Sequence, residues 1–464
     1  MFDFIAVLVA LTLAALVVVG MALGVHWGRQ RPYGLLPYVI YPVLLVYALY
    51  TLLSGRDLSG GEALAVLQVS KHPLVTWLGR LTSLFILFAC AERVLYRSLR
   101  WGRQAPLVPA LVLAFAVFFL TNTVSPALLG RYVYLSHEFL YVIALGCAAV
   151  LVTEEAELQL ALRAARNACL GFAALSLACL ALKPGLVMAS YHAGYIPGFH
   201  WRFVGLANHS NNMGSLLVFF MVCLWCQPFA RRALNRAAWA LAWTGLLLTQ
   251  SKTSWSAALL SAAALAYFGH RAVLLQRWRD FRQPYLPLAL LFGLMGGATV
   301  LCLAFMFGDP GARLARFLGS QQGAELLSLT GRDQIWQIAV QEWQKNPLFG
   351  YGLSIWDDAF RKSIAMPHAM HAHNQFYQSL SSAGLVGVAG LLCYLAVLLW
   401  FIARTVQRSH GLALALFILL AIKAVSEVPL AMKGMGPDLL TQVLLLMTLS
   451  VYSRRPAALA APAP

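Results

Sequence analysis

Apolar runs of roughly 15 or more residues recur along the whole chain and leave few folds open to it. They lie near 4–24, 35–53, 74–95, 106–122, 138–152, 167–183, 211–228, 237–250, 254–269, 286–307, 376–403, 412–428 and 439–452. In hydrocarbon every backbone N–H and C=O must find a partner inside the protein, which confines such runs to helices or closed barrels. Of the 464 residues, 60% are hydrophobic and only 11% charged, well outside the range of soluble domains. The expected architecture is an all-α polytopic membrane protein, a bundle of twelve or thirteen transmembrane helices. The first run is followed by further spans and not by a small-residue cleavage site, so it reads as a retained helix, not a signal peptide.

A net charge of +17 raises the question of nucleic acid, but the Lys and Arg residues sit in short clusters between apolar runs, where topology determinants sit. The loops with Arg97, Arg100 and Arg103, with Arg231, Arg232 and Arg236, with Arg271, Arg277, Arg279 and Arg282, with Arg404 and Arg408, and with Arg454 and Arg455 are mutually consistent as cytoplasmic. Parity then puts 54–73, 123–137, 184–210, the tight turn 249–254, the long interval 308–375 and 431–438 on the outer side, the periplasm in a Gram-negative cell. Thirteen spans put the N-terminus outside, with Arg29 and Arg31 in a first cytoplasmic loop; one span fewer puts both termini inside. All eight Cys fall in apolar runs without ligand-pair spacing, so no redox compartment follows from them.

The long outer interval is where chemistry is expected. From Gly331 to Trp343 the residues Ile335, Trp336, Ala339, Val340 and Trp343 recur at helical spacing, giving an amphipathic helix that lies on the membrane or packs over the bundle. Asn346-Pro347 ends it, and Gly350 and Gly352 frame a turn able to approach a ligand closely. His371, His373 and Asn374 then lead directly into the next span, at the depth of a lipid head group.

His368, His371 and His373 with Asp357 and Asp358 lack the spacing of a helical metal motif, so a metal is not expected. A histidine near neutrality suits the alternative task, general base toward a sugar hydroxyl. Outer-face cations form a second group: Lys252 in the tight turn, Arg332 opening the loop helix, Arg202 in Trp201-Arg202-Phe203, and Arg80 near a helix end. Positive charge is depleted on that side, so each is either a partner for an anion such as a diphosphate or a snorkelling side chain. Lys423 and Glu427, one turn apart in an apolar run, read as a structural ion pair or as cavity lining, and Asn211-Asn212 as a cap or a sugar contact.

Taken together, Thr330-Gly331-Arg332-Asp333 with Trp336, Asn346-Pro347-Leu348-Phe349-Gly350-Tyr351-Gly352, and His373-Asn374 with Gly384 and Gly387 resemble the O-antigen ligase and O-antigen polymerase superfamily of membrane glycosyltransferases. Thr249-Gln250-Ser251-Lys252 is similar to that family's Thr-x-Ser-Arg hairpin, with Lys in place of the usual Arg, and Arg202-Phe203-Val204-Gly205 with Asn212 to its Arg-x-x-Gly…Asn segment. The likeness runs from about 200 to 430.

What the resemblance implies is a GT-C-like fold and a metal-independent, cofactor-free, inverting transfer of polysaccharide from undecaprenyl diphosphate to a hydroxyl of the lipid A core. The site would face the periplasm from the bacterial inner membrane. His373, Arg332 and Lys252 would be catalytic, and Arg202, Asn212, Asn374, Tyr351, Gly352 and His371 would bind substrate. The chain divides accordingly into helices 1–307, a catalytic loop 308–375, helices 376–455 and a tail 456–464. A repeat-unit polymerase, a protein O-glycosyltransferase and a lipid or polysaccharide transporter remain as alternatives.

Overall fold

The computed structural model describes residues 34–62, 72–99, 108–136, 138–191, 196, 198–279, 285–307, 315, 332–367, 369–431 and 436–454. The first predicted span, Arg29, Arg31, Arg100, Arg103, Arg282, most of 308–331, His368 and the tail after Arg454 lie outside the described residues. Every predicted span from residue 35 onward is a helix. In chain order these are α1 (Ile40–Leu52), α2 (Pro73–Leu99), α3 (Pro109–Phe119), α4 (Ser125–Leu129), α5 (Glu138–Val150), α6 (Glu155–Leu182), the short α7 (Pro184–Val187), α8 (Ser210–Cys226), α9 (Arg232–Thr249), α10 (Lys252–Arg279) and α11 (Tyr285–Phe307). The outer segment adds α12 (Arg332–Lys345) and α13 (Asp358–Ser363), and α14 (Gln375–Thr405), α15 (Leu412–Ser426) and α16 (Pro437–Tyr452) complete the series. Five helical stretches, Pro73–Arg97, Pro109–Leu129, Glu155–Leu182, Lys252–Arg279 and Gln375–Thr405, are long and apolar enough to cross a membrane, and shorter apolar helices accompany them. Large side chains such as Leu113, Leu140, Leu259, Phe292 and Leu294 stand exposed on their outer surfaces, as a lipid-facing bundle requires. The protein is an all-α polytopic membrane protein.

Between α7 and α8 the chain departs from the predicted plain loop. Strands β1 (Met188–Ser190) and β2 (Trp201–Phe203) pair antiparallel, with Ala189 opposite Arg202. Three residues per strand is too short to show a period in the sequence.

The loops that parity sorted into two sets do sort in space. On one face the Arg56 guanidinium donates to the carbonyls of Leu186, Gly205 and Ala207, Gln250 donates to the Trp201 carbonyl, and the Arg131 N–H to the Gly350 carbonyl. On the other, Arg93 pairs with Glu157 at 2.8 Å, Arg163 bonds Gln227, and Tyr452 bonds Glu155.

The decisive irregularity is in α14. At Gly384 the backbone turns to φ +63°, ψ −156°, a conformation open in practice only to glycine, and the helix breaks. The break frees backbone groups on both sides, and the Pro347–Gly352 segment takes them up. Tyr351 N–H donates to Ser381 O, Gly352 N–H to Ser382 O, Leu385 N–H to Pro347 O and Val386 N–H to Leu348 O. Gly350 and Gly352, at φ +71° and +109°, therefore approach protein backbone: a Cβ on Gly350 would stand 2.6 Å from the Ser382 carbonyl carbon, and one on Gly352 2.5 Å from the Tyr132 carbonyl oxygen. Asn122, in a π-helical turn between α3 and α4, ties the break from the other side by donating to Gly387 O at 2.9 Å.

Gly384→Ala is expected to cost more than the 1–3 kcal/mol of an ordinary strained backbone, because the new Cβ would also stand 2.5 Å from the Leu348 carbonyl. Thermal unfolding of the detergent-solubilised variant should show a clearly lowered midpoint; an unchanged one would mean the break relaxes without the loop.

Candidate active site

Helix α12 forms as its pattern predicts, and of the two predicted placements it takes the second, packing over the bundle against α14. Ile335 and Ala339 are buried with Ile355, Trp356, Phe360, Ala369 and Ala372, and Trp336 stacks on Tyr377 at 4.9 Å. Asp333 in the first turn and Lys345 in the last suit the helix dipole. Trp336 Nε1 donates to the carbonyl of Ala372 at 2.9 Å, and the Ala372 N–H donates to Gln378 Oε1 at 3.0 Å. The residue between the two histidines is thus clamped at both backbone groups.

This clamp holds His373 at φ +50°, a left-handed conformation that a bulky residue rarely adopts. Its backbone N–H donates to His371 Nδ1 at 3.1 Å, which fixes the tautomer of His371: Nδ1 carries the lone pair and Nε2 the proton. That Nε2 lies 3.2 Å from Glu427 Oε2. Both nitrogens of His371 are therefore engaged. His373 presents Nδ1 to the same carboxylate oxygen at 3.6 Å, slightly beyond hydrogen-bond length, and Nδ1 is buried with no other partner. The structure gives Nε2 of His373 no bonding partner among the described residues, so of the two rings only His373 has a nitrogen left to accept a proton.

Of the two readings open for Glu427, the ion pair with Lys423 does not form. Glu427 is the C-cap of α15, with φ −146° and ψ −170°, so its side chain leaves the helix direction. Lys423 instead meets Asp438 at 2.6 and 2.8 Å and Asn212 at 2.6 Å. Glu427 turns to the histidines and to Asn211, whose Nδ2 donates to Glu427 Oε1 at 2.8 Å. The Oδ1 of the same Asn211 accepts from Ser251 at 2.9 Å and from Arg202 at 3.4 Å. One amide thus joins the predicted Arg202 segment and the 249–254 turn to the histidines.

Charge and burial set the proton states. Burial pushes His373 down to about 4, with Glu427 opposing it and the Arg332 charge acting the same way as burial. The ring is neutral at pH 7. Burial alone would raise Glu427, but the two imidazoles, His371 at 3.2 Å and His373 at 3.6 Å, outweigh it and hold the carboxyl well below its usual range. Arg332 is pressed below its ordinary value by burial while the Glu427 charge supports it, so the guanidinium lies within electrostatic reach of both Glu427 and His373.

The remaining predicted residues are placed differently. Asn374 caps α14, accepting from Phe376 N–H at 2.9 Å and Tyr377 N–H at 3.3 Å, and donates to Val425 O. Asn212 lies in the adjoining network of Lys423 and Asn208, and it is Asn211 that reaches the centre. Tyr351 packs between Tyr132 and Phe360, and Gly352 lies on the Tyr132 carbonyl, so both hold the loop. Arg202 is paired with Glu62 at 3.3 Å and stacked over Tyr191. Lys252 is exposed as the first residue of α10, next to Ser251. Reading the sequence missed Glu62, which also meets His209 at 2.9 Å, and left Glu427 open between an ion pair and cavity lining. The signal for Glu427 was present: Pro429, two residues on, disfavours helix at 428 and argues against an i, i+4 pair with Lys423.

His371, His373 and Glu427 offer ligand atoms within 4.8 Å of one another, a set able to surround a cation. The surroundings do not fit one. A metal on His371 Nε2 requires the proton on Nδ1, and Nδ1 faces a backbone N–H, whereas metal-bound imidazoles donate from that nitrogen to an acceptor. The arrangement is a carboxylate–imidazole couple with a neighbouring cation.

Trp336→Phe should keep the stacking and lose only the bond to Ala372. A stability loss of about 0.5–1.5 kcal/mol is expected, with a larger proportional loss of activity, read by comparing unfolding midpoint and turnover in one preparation. Unchanged turnover would mean that the clamp does not set the position of His373.

A search among curated proteins finds no match. A family model described as O-Antigen ligase matches residues 237–392, a stretch that includes Lys252, Arg332, the Pro347–Gly352 loop and both histidines, while Arg202, Asn211 and Glu427 fall outside it. Through that stretch, and in keeping with the motifs read from the sequence, the chain is similar to an O-antigen ligase-type family, which supports a membrane glycosyltransferase-like function.

Proposed function

We propose that the protein transfers polysaccharide from undecaprenyl diphosphate to a hydroxyl of the lipid A core at the periplasmic face of the inner membrane. The observation that carries this reading is the uncommitted Nε2 of a neutral, half-buried His373 within electrostatic reach of a half-buried Arg332, at the loop-bearing face of the bundle. In a single displacement the acceptor oxygen attacks the anomeric carbon as the bond to the diphosphate oxygen breaks. The acceptor proton passes to His373 Nε2, the electron pair leaves with the diphosphate, and the configuration inverts.

Arg332 meets the charge that builds on the departing diphosphate, and Lys252 and Arg202 supply further positive charge on the same face. A fixed cation in a site depleted of water stabilises such charge far more than it would in bulk water. The pair of Arg202 with Glu62 keeps that guanidinium oriented before donor arrives.

His373→Ala in a strain lacking its own O-antigen ligase should abolish the lipopolysaccharide ladder that the wild-type gene restores, a loss on the scale of the 10²–10⁴-fold that a general base contributes. A normal ladder from the variant would remove His373 from the base role, and rescue of a polymerase-deficient strain instead would change the acceptor to a lipid-linked repeat unit.

Arg332→Ala should lower turnover by about 10²–10³-fold, the scale of a lost charge-stabilising donor, and Arg332→Lys by less. Equal activity in the two would assign Arg332 to packing.

The acid limb of turnover should lie below the usual histidine value, toward about 4. A base with a depressed pKa stays neutral as pH falls to that value and is lost only on passing through it. A limb at 6.5 or above, measured in detergent with purified donor and acceptor, would contradict the buried, neutral ring.

A further inference from the structure

We infer that Glu427, fixed by Asn211, is the positioning residue that turns His373 into a base aimed at the acceptor hydroxyl, with His371 as the second arm of the same carboxylate. The inference rests on His373 being the base, and it adds two residues that the matched family segment does not contain.

The geometry leaves Glu427 few other tasks. Its side chain is almost wholly buried, at 6% exposure, and an anion in such a place is retained only when its oxygens are matched. Oε1 receives Asn211 Nδ2, and Oε2 receives His371 Nε2 and faces His373 Nδ1. The nearby lysine does not pair with it, because Asp438 has taken Lys423. The carboxylate is thus reserved for two imidazoles.

Each arm fixes one degree of freedom. Through His371 the carboxylate holds a ring whose Nδ1 receives the backbone N–H of His373, and so steadies the left-handed turn from which His373 projects. Through Oε2 it selects the tautomer of His373 with the proton on Nδ1, because a lone pair there would point at an anion. Nε2 then carries the lone pair and faces away from Glu427. When that nitrogen takes the acceptor proton, the imidazolium forms next to a negative charge already in place, and a movement of about half an ångström closes the 3.6 Å gap to a charge-assisted hydrogen bond.

Asn211 makes the arrangement directional. Its Oδ1 is committed to Ser251 and Arg202, which forces Nδ2 toward Glu427 and keeps the carboxylate from rotating away. The amide sits in the first turn of α8, whose N-cap His209 accepts the Asn211 backbone N–H, so the donor rests on a rigid element. Through this amide the cation segment around Arg202 and the base share one support.

The test is steady-state turnover of the full-length protein in detergent, with lipid-linked polysaccharide as donor and lipopolysaccharide bearing only the core as acceptor, followed across pH. Glu427→Gln should lower kcat by more than about tenfold with donor KM within about twofold, and should move the acid limb to lower pH because the carboxylate no longer supports the imidazolium. Glu427→Asp, which keeps the charge at a shorter reach, should recover part of kcat and return the limb toward its wild-type position. Asn211→Ala should reproduce the kcat loss in weaker form.

Wild-type kcat and pH profile in Glu427→Gln, while His373→Ala is inactive, would overturn the positioning role and leave the base intact. Activity in His373→Ala would overturn the base reading and the inference with it. If Glu427→Gln does not yield folded protein, Glu427→Asp and Asn211→Ala decide the matter: an unmoved acid limb and kcat in both refutes the inference.

Discussion

A broken helix in an apolar environment leaves backbone groups that must be paired, and this requirement organises the outer half of the molecule. Gly384 breaks α14, and the four hydrogen bonds from the Pro347–Gly352 segment repair it. In water such groups would be satisfied at little cost, and the segment would be free to move. Inside a membrane bundle each unpaired group costs several kcal/mol, so the repair locks the loop to the helix. Helix α12 precedes that segment and the His371–Asn374 turn follows it within one short stretch of chain. Locking the segment therefore fixes both Arg332 and the histidines relative to the bundle.

The second consequence concerns where polar groups can gather. The outer-face segments arrive from widely separated parts of the sequence: the Arg56–Glu62 turn, the β1–β2 hairpin, the start of α8, the Thr249–Ser254 turn and the end of α15. Each brings a group that would be costly alone. Arg56 is satisfied by three carbonyls, Glu62 by Arg202 and His209, and Glu427 by Asn211 and His371. Mutual satisfaction makes the face rigid. The uncommitted Nε2 of His373 stands out because nearly every group around it is engaged.

Much of this was legible in the residues. Apolar periodicity located the helices because hydrocarbon permits so few alternatives. The candidate site stretch stood out by its polarity, and His373 and Arg332 by their position in it. The departures have a common cause. Gly350, Gly352 and Gly384 were read as a turn open to a ligand and a helical glycine, but they form a backbone pairing across some thirty residues of chain, and no local pattern encodes which carbonyls a loop will reach. Asn212 and Asn211 differ by one position on a helix, about 100° of rotation, and only the packing of α8 against its neighbours decides which faces the centre. Glu427 stayed open between pairing with Lys423 and lining a cavity because the end of α15 was placed too late.

The placement of Glu427 bears on how such a site is tuned. An i, i+4 pair with Lys423 would have neutralised the carboxylate and left the histidines with Arg332 alone, whose charge disfavours the protonated base that the proposed reaction requires. Moving Glu427 out of the helix and giving Lys423 to Asp438 separates two charges that proximity in sequence would have joined. In the proposed reaction the base lies between an anion that favours taking up a proton and a cation that favours release of the diphosphate. Neither is redundant there: with Glu427 absent, Arg332 would oppose protonation of His373; with Arg332 absent, charge on the leaving group would have no counterpart beside the base. The burial that strengthens both charges also keeps His373 neutral at pH 7, so the resting state and the proposed reacting state are set by the same low-dielectric surroundings.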